Sequence, residues 1–314
     1  MKEIINNLKK LNLQNYPDRE IANFITQIGA LPVMLSEYDE GKIIYRARPN
    51  IDETNNFSKI SDLSYKPQAN NNKYQRASTP DKTMFYGALI PEVLENDLID
   101  DERITGAFEV VDFLRNLKIK AGEKVITYGV WRVKSKISTY SVVQPNLRKI
   151  KVNWLKTIST RFFKELENHP QFKEKVPIIL EYLAREFSKK VKEGKDYEYM
   201  VSALFAERAC MLGLDGILYP SVKMESTGLN IALTPECVDS HLELEKAIKC
   251  KIYKKCKSVI VNNLQEGHVD YRTGTITWTE IPIGKYRSSE EEIKKKLDKV
   301  ICKKKRKRKK NRKQ

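Results

Sequence analysis

Apolar residues recur at helical spacing over Ile4–Leu13 and again over Ile21–Ile28, with Pro17 and Asp18 between them as a break and a start signal. This pattern predicts two short helices. The period then changes. Gly41-Lys42-Ile43-Ile44-Tyr45-Arg46-Ala47-Arg48-Pro49 is β-favouring and ends at a proline, which cannot donate to a central ladder, so a strand is expected with Arg46 near its end. Residues 50–72 are polar, hold six asparagines and lack periodicity, which predicts a long surface loop of the kind that often carries function. A second compact strand is expected over Thr83–Ala88. After an acidic connector, Ile104–Leu114 has helical periodicity, which places Glu109 on a largely apolar helix.

Lys124–Val133 and Ile137–Val143 alternate aromatic or β-branched residues with polar ones and read as strands joined by a short basic turn. Three helices follow. The first carries Trp154, Leu155, Ile158, Phe162 and Leu166 on one face, the second is opened by Pro177 over Ile178–Val191, and the third, Tyr197–Leu212, is closed by Gly213. Strands are expected at Gly216–Ser221 and Leu229–Leu233. Beyond Glu236 come short β-like pieces, among them Val269–Arg272 and Thr275–Thr279 joined as a hairpin, then a charged helix over Ser288–Ile301. Strands and helices mix without a regular βαβ repeat, which favours an α+β fold.

Composition narrows the classes of function. Of 314 residues, 40% are hydrophobic and 32% charged, and no uncharged apolar run approaches the ~20 residues of a membrane span. The first ten residues mix charge with isolated apolar positions, unlike a signal peptide, so the expected compartment is the cytoplasm. Five cysteines, odd in number and irregularly spaced, predict reduced thiols. His169, His241 and His268 fit no metal-binding motif, so no metal site is expected. The formal charge of +17 is unevenly spread: ten Lys or Arg lie between Lys303 and Lys313, and without them the balance is 17 − 10 = +7. That tail can neutralise phosphates of a nucleic acid but holds no sequence-reading element, and a solvated extension explains it equally well. A nucleic-acid-binding protein with Tyr128 and Trp131 stacking bases is the competing class of function.

Five short segments follow one another in an order that changes the weight of each: Tyr45-Arg46-Ala47-Arg48-Pro49, Tyr74-Gln75-Arg76-Ala77-Ser78-Thr79-Pro80, Met84-Phe85-Tyr86-Gly87-Ala88, Thr105-Gly106-Ala107-Phe108-Glu109-Val110 and Asp215-Gly216-Ile217-Leu218-Tyr219-Pro220-Ser221. Together they resemble the successive motifs of the RES domain, over roughly Ile43 to Val238. The resemblance implies an ADP-ribosyltransferase-like mixed sheet core with flanking helices and N- and C-terminal extensions. It also implies NAD as substrate rather than cofactor, and the role of a toxin held by an antitoxin protein.

Residue by residue, the resemblance carries over to Arg46, with Arg48 as a near competitor, to Arg76, to Tyr86, to Glu109 and to Ser221. Glu92 is the rival for the glutamate, because the connector Glu92–Arg103 is longer than the family spacing. Asn230 is a further candidate for substrate contact. The domain organisation expected is a helical extension at 1–40, a catalytic domain at 41–240 with a helical insertion near 151–212, a C-terminal extension at 241–302 and a basic tail at 303–314.

These residue types suit NAD chemistry. A pyrophosphate brings two negative charges, and arginine offers fork-shaped, permanently charged donors, so Arg46 and Arg76 are expected to clamp it. Breaking the nicotinamide glycosidic bond passes through an oxocarbenium-like ribose, which a carboxylate such as Glu109 can stabilise. Tyr86 is expected to stack on a ring of the substrate and Ser221 to position the ribose or carboxamide. Ser221 is not expected to be a nucleophile, since no histidine base lies in a partner motif. No G-x-G-x-x-G follows a strand and no phosphate-binding G-x-x-x-x-G-K-[ST] occurs. The sequence leaves hydrolysis, phosphorolysis and transfer of ADP-ribose to a macromolecule open.

Overall fold

The computed structural model describes residues 1–89, 101–116, 118–222, 228–256, 258–284 and 286–299. The chain begins with helices α1 (Lys2–Lys10) and α2 (Asp18–Ile28), then strands β1 (Leu35–Tyr38), β2 (Ile43–Pro49) and β3 (Phe85–Leu89). Helices α3 (Asp101–Val110) and α4 (Asp112–Arg115) lead into β4 (Ala121–Val133) and β5 (Ile137–Ser141). Next come α5 (Asn153–Leu166), α6 (Pro170–Lys173), α7 (Lys175–Phe187) and α8 (Met200–Met211), then β6 (Gly216–Pro220), β7 (Leu229–Leu233) and α9 (Pro235–His241). Three strands, β8 (Leu242–Lys255), β9 (Ser258–Asp270) and β10 (Thr275–Glu280), precede a helical stretch at 290–299. Ten strands, mostly antiparallel, mixed with helices fit the α+β class that the pattern predicts.

The chain forms two compact units, each built from separated segments. The first comprises Met1–Ile44, Tyr65–Thr105 and Arg132–Glu243; the second comprises Tyr45–Ser64, Gly106–Trp131 and Leu244–Gln314. Strands far apart in sequence pair with one another, so each unit gathers separated segments, with two of the boundaries at Ile44/Tyr45 and Glu243/Leu244.

In the first unit the strand order is β1-β5-β6-β7-β3, with β5 and β6 parallel and the other neighbours antiparallel. Every residue of β6 and β7 is buried, as befits central strands covered on both faces. The α8 helix brings small side chains, Ala203, Ala206 and Ala209, to its buried positions, and Phe187 at the end of α7 packs on Tyr219 of β6 with ring centroids 5.6 Å apart. The helices therefore cover the β6 face that carries Tyr219. At the N-terminus the expected helical pair is present, with Ile5 and Leu8 of α1 and Ile21 and Ile25 of α2 buried at helical spacing.

In the second unit the order is β2-β4-β8-β9-β10. Its core gathers Ala107, Val111 and Leu114 against Ile126, Tyr128, Cys250 and Ile252, with Tyr45 and Ala47 packed at the side. The β9–β10 hairpin expected from the turn Arg272–Thr275 is found, and Gly274 takes a positive φ of 70° in that turn, a conformation that costs glycine little.

Several expectations are corrected. The pieces beyond Glu236 are long strands: β8 spans 14 residues and β9 13. The helix read over Ile104–Leu114 is broken at Val111, whose backbone is extended. Arg46 sits in the middle of β2, not at its end. Pro177 lies inside the first turn of α7 instead of opening it, a place where its missing N–H leaves no helical bond unmade. Residues 50–72 are irregular as expected, yet Asn50, Leu63 and Asn71 are buried. Part of that segment lies along β10, with the Ile60 N–H donating to the Gly274 carbonyl and the Ile276 N–H to the Ser58 carbonyl, which covers a sheet edge.

Candidate functional site

In the first unit, Tyr86, Asn230 and Ser221 lie on the same face of three neighbouring strands. Directly opposed residues of an antiparallel pair point to the same side, and side chains alternate along a strand. Tyr86 of β3 is opposed to Ala232 of β7, and Ala88 to Asn230; on the other edge of β7, Asn230 is opposed to Tyr219 of β6. Ser221 follows Tyr219 by two positions and extends the ladder, its N–H donating to the Gly228 carbonyl at 2.8 Å. This is the face covered by α7 and α8. Ser221 is fully buried and Asn230 nearly so, which is costly for polar side chains unless they are satisfied. Gly228 makes room there for Thr105: a Cβ at 228 would lie 2.3 Å from Thr105 Oγ1.

The segment carrying Arg76 wraps around the end of the Tyr86 side chain. The Ala77 N–H donates to the Tyr86 hydroxyl at 3.1 Å, and Ser78 Oγ lies 2.7 Å from it. Burial pushes the Tyr86 hydroxyl up to about 12, against the smaller lowering effects of Ser78, Ala77 and the Arg76 guanidinium. Tyr86 is therefore a neutral hydroxyl throughout the physiological range. Arg76 itself closes the end of α7. Its Nη1 donates to the Phe187 carbonyl at 2.6 Å and its Nη2 to the Lys189 carbonyl at 2.9 Å, while the guanidinium lies over the Tyr199 ring at 5.1 Å. Two of its five N–H donors are thus committed, one to the carbonyl of the last residue of α7 and one to a carbonyl just past the helix.

The second unit holds Arg46, Arg48 and Glu109. Tyr45 and Ala47 of β2 pack toward α3, and alternation along the strand puts Arg46 and Arg48 on the other side. Arg48 serves the fold directly. Its Nη1 donates to the Asp62 carbonyl and its guanidinium lies 5.7 Å from the Phe57 ring centre, tying down the irregular segment after β2. Glu109 lies near the end of α3, half-buried, and its carbonyl accepts from Arg115 Nη1 at 3.0 Å. Four of the seven candidates, Arg76, Tyr86, Ser221 and Asn230, belong to the first unit and three to the second. The rival Glu92 and the basic tail lie outside the described residues.

Sequence reasoning missed Ser78, Tyr199 and Thr105. Ser78 stands within the Tyr74–Pro80 segment and Thr105 opens the Thr105–Val110 segment, and that nearness was their available signal; nothing in the local sequence marks Tyr199. Tyr128 and Trp131 are 0% and 3% exposed, so the base-stacking surface expected of them is not there. Among the described residues no grouping of three or more His, Cys, Asp or Glu is placed to hold a metal ion, and no helix is long and apolar enough to cross a membrane. Among the described residues Cys210, Cys237, Cys250 and Cys256 form no disulfide. Compared with known proteins, the chain matches no protein-family model and no curated protein.

Proposed function

We propose that this protein consumes NAD by cleaving the nicotinamide–ribose bond, on an ADP-ribosyltransferase-like fold, with water or phosphate as the acceptor. The observation that carries this reading is the placing of Tyr86, Asn230 and Ser221, more than 130 positions apart at the extremes, on one face of β3, β7 and β6, with Arg76 seated at the end of α7. Three polar side chains on the helix-covered face of central strands stand where apolar packing is the rule, and such a departure is typical of a site.

In this reading the protonated Tyr86 hydroxyl is an orienting donor, Asn230 and Ser221 hold the ribose or carboxamide, and the Arg76 guanidinium meets the pyrophosphate, a task the resemblance gives to Arg46 as well. Glu109 stabilises the oxocarbenium-like ribose. Ser221 positions and does not attack. An antitoxin partner follows from the same resemblance.

The test is incubation of the purified protein with NAD, with and without phosphate, following nicotinamide and the ADP-ribose product by chromatography. Nicotinamide release that falls on the order of 100-fold in Glu109→Ala would match loss of one charge-stabilising group. The identity of the product separates hydrolysis from phosphorolysis. Absence of nicotinamide release by the folded protein under every condition would overturn the reading. Arg76→Ala is a poor choice of variant here, because it also unties α7.

A further inference from the structure

A cavity of about 520 Å³ opens in the first unit, and none of the seven candidate residues lines it. Its apolar lining comes from Met84, Cys210, Met211 and Pro235, and its charged lining from Asp81, Glu207 and Glu236 against a single ammonium, Lys82. The uncharged polar groups are satisfied from within. Gln68 Nε2 donates to the Pro80 carbonyl at 2.7 Å, Gln68 Oε1 accepts from the Thr83 N–H at 2.7 Å, and Thr83 Oγ1 donates to the Lys66 carbonyl at 2.9 Å. Tyr65 donates to Asp239 at 2.8 Å. What is left over is negative charge: Asp81, Glu207 and Glu236 make no ion pair among the described residues.

Two further observations define an occupant. Met211, which lines the cavity at the end of α8, is 62% exposed, and its chain neighbour Leu212 is 71% exposed, so apolar surface stands open at the negative pole of the helix. Burial, and after it the carboxylates of Asp215, Glu236 and Glu207, push the Cys210 thiol up to about 12. All this occurs on a chain whose formal charge is +17, where an uncompensated patch of the opposite sign needs a cause.

We propose that this groove docks a basic segment of a partner protein, a Lys or Arg side chain laying its apolar stem along Met84, Met211 and Pro235 with its cationic head among Asp81, Glu207 and Glu236. Long cationic side chains match such a surface because they bury methylenes while keeping the charge at a polar rim. Charge complementarity of this kind selects the partner and speeds encounter, and it weakens with salt. The proposal does not rest on NAD cleavage and is tested without NAD.

The probe is a fluorescein-labelled peptide of alternating lysine and leucine, titrated with the full-length protein and read by anisotropy at low and high salt. A protein this basic repels such a peptide except where a local acidic site captures it. Saturable binding is expected, weakened roughly 10-fold or more in Glu207→Lys/Glu236→Lys, which corresponds to about 1.4 kcal/mol, and strengthened in Lys82→Glu. The Lys82→Glu variant guards against a fold defect, since damage to the groove would not tighten binding. The idea fails if the peptide does not bind, if the double variant binds it equally well, or if a glutamate–leucine peptide binds as tightly. Displacement by spermine at similar affinity would also sink it, by showing a small-cation site instead of a docking groove.

Discussion

At the scale of single residues, Arg76 is held by the same chemistry that recommends it for anion binding. A guanidinium presents its donors in a fixed plane, and two of them close on the carbonyls of Phe187, the last residue of α7, and of Lys189 just past it. Hydrogen bonds from a charged donor contribute about 1.5–3 kcal/mol, so Arg76→Ala should destabilise the protein by roughly that much, and Arg76→Lys by less. The urea midpoint of each variant measures this, and unchanged midpoints would mean that the seat on α7 is incidental. Gly216 makes a sharper case. A Cβ there would lie 2.0 Å from the Ala232 carbonyl oxygen, which belongs to the backbone of the neighbouring strand and has nowhere to go. Gly216→Ala should therefore cost about 3 kcal/mol, the upper end of what overpacking produces, and retention of the wild-type midpoint would contradict the close packing of β6 on β7.

At the scale of elements, what the sequence made legible follows from how local the causes were. The N-terminal helices, β2, β3, β6 and β7 carry their period in consecutive residues and were readable. Four-residue β1 was not, because its inward positions are Ser36 and Tyr38 while Leu35 faces out, so no apolar alternation marks it. The length of β8 was hidden by its lysines and by a register shift between Lys249 and Cys250 that breaks the alternation. Those lysines are polar in sequence but partly buried in the fold. Lys249 donates to Asn56 Oδ1 at 2.8 Å, and Lys254 Nζ donates to the carbonyls of Phe113, Leu114 and Asn116 at the end of α4. Ser78 beside Tyr86 depends on a turn that the sequence does not announce. Replacing Lys254 by Met keeps the stem and removes the head, leaving three carbonyls of one short helix without their donor. Hydrogen exchange should then rise around residues 112–116, with a stability loss on the order of 1–3 kcal/mol; unchanged protection there would show that water replaces the ammonium freely.

At the scale of the whole molecule, the buried tyrosines set a limit on the pH range of the fold. Burial raises the hydroxyls of Tyr38, Tyr140 and Tyr182, and lifts those of Tyr65, Tyr74 and Tyr86 to about 12. An unfolded tyrosine releases its proton near pH 10, whereas these hold theirs in the folded state. Between about pH 10 and 12 the folded chain binds more protons than the unfolded one, and its stability must fall as pH rises through that window. Below pH 10 the effect vanishes because both states are protonated. Glu186 acts in the same direction at lower pH: burial raises its carboxyl against the lowering effects of Lys189 and Lys9, so its ionisation opposes folding once the pH passes its usual carboxylate range. Glu186→Gln should accordingly stabilise the protein at neutral pH and do little in acid, while Tyr140→Phe should flatten the alkaline decline. Urea midpoints measured from pH 4 to about 12 resolve both effects. A flat alkaline limb, with Tyr140→Phe tracking the wild type, would mean that these hydroxyls reach water without unfolding, and would count against the tight first-unit core in which Tyr140 and Tyr86 are packed.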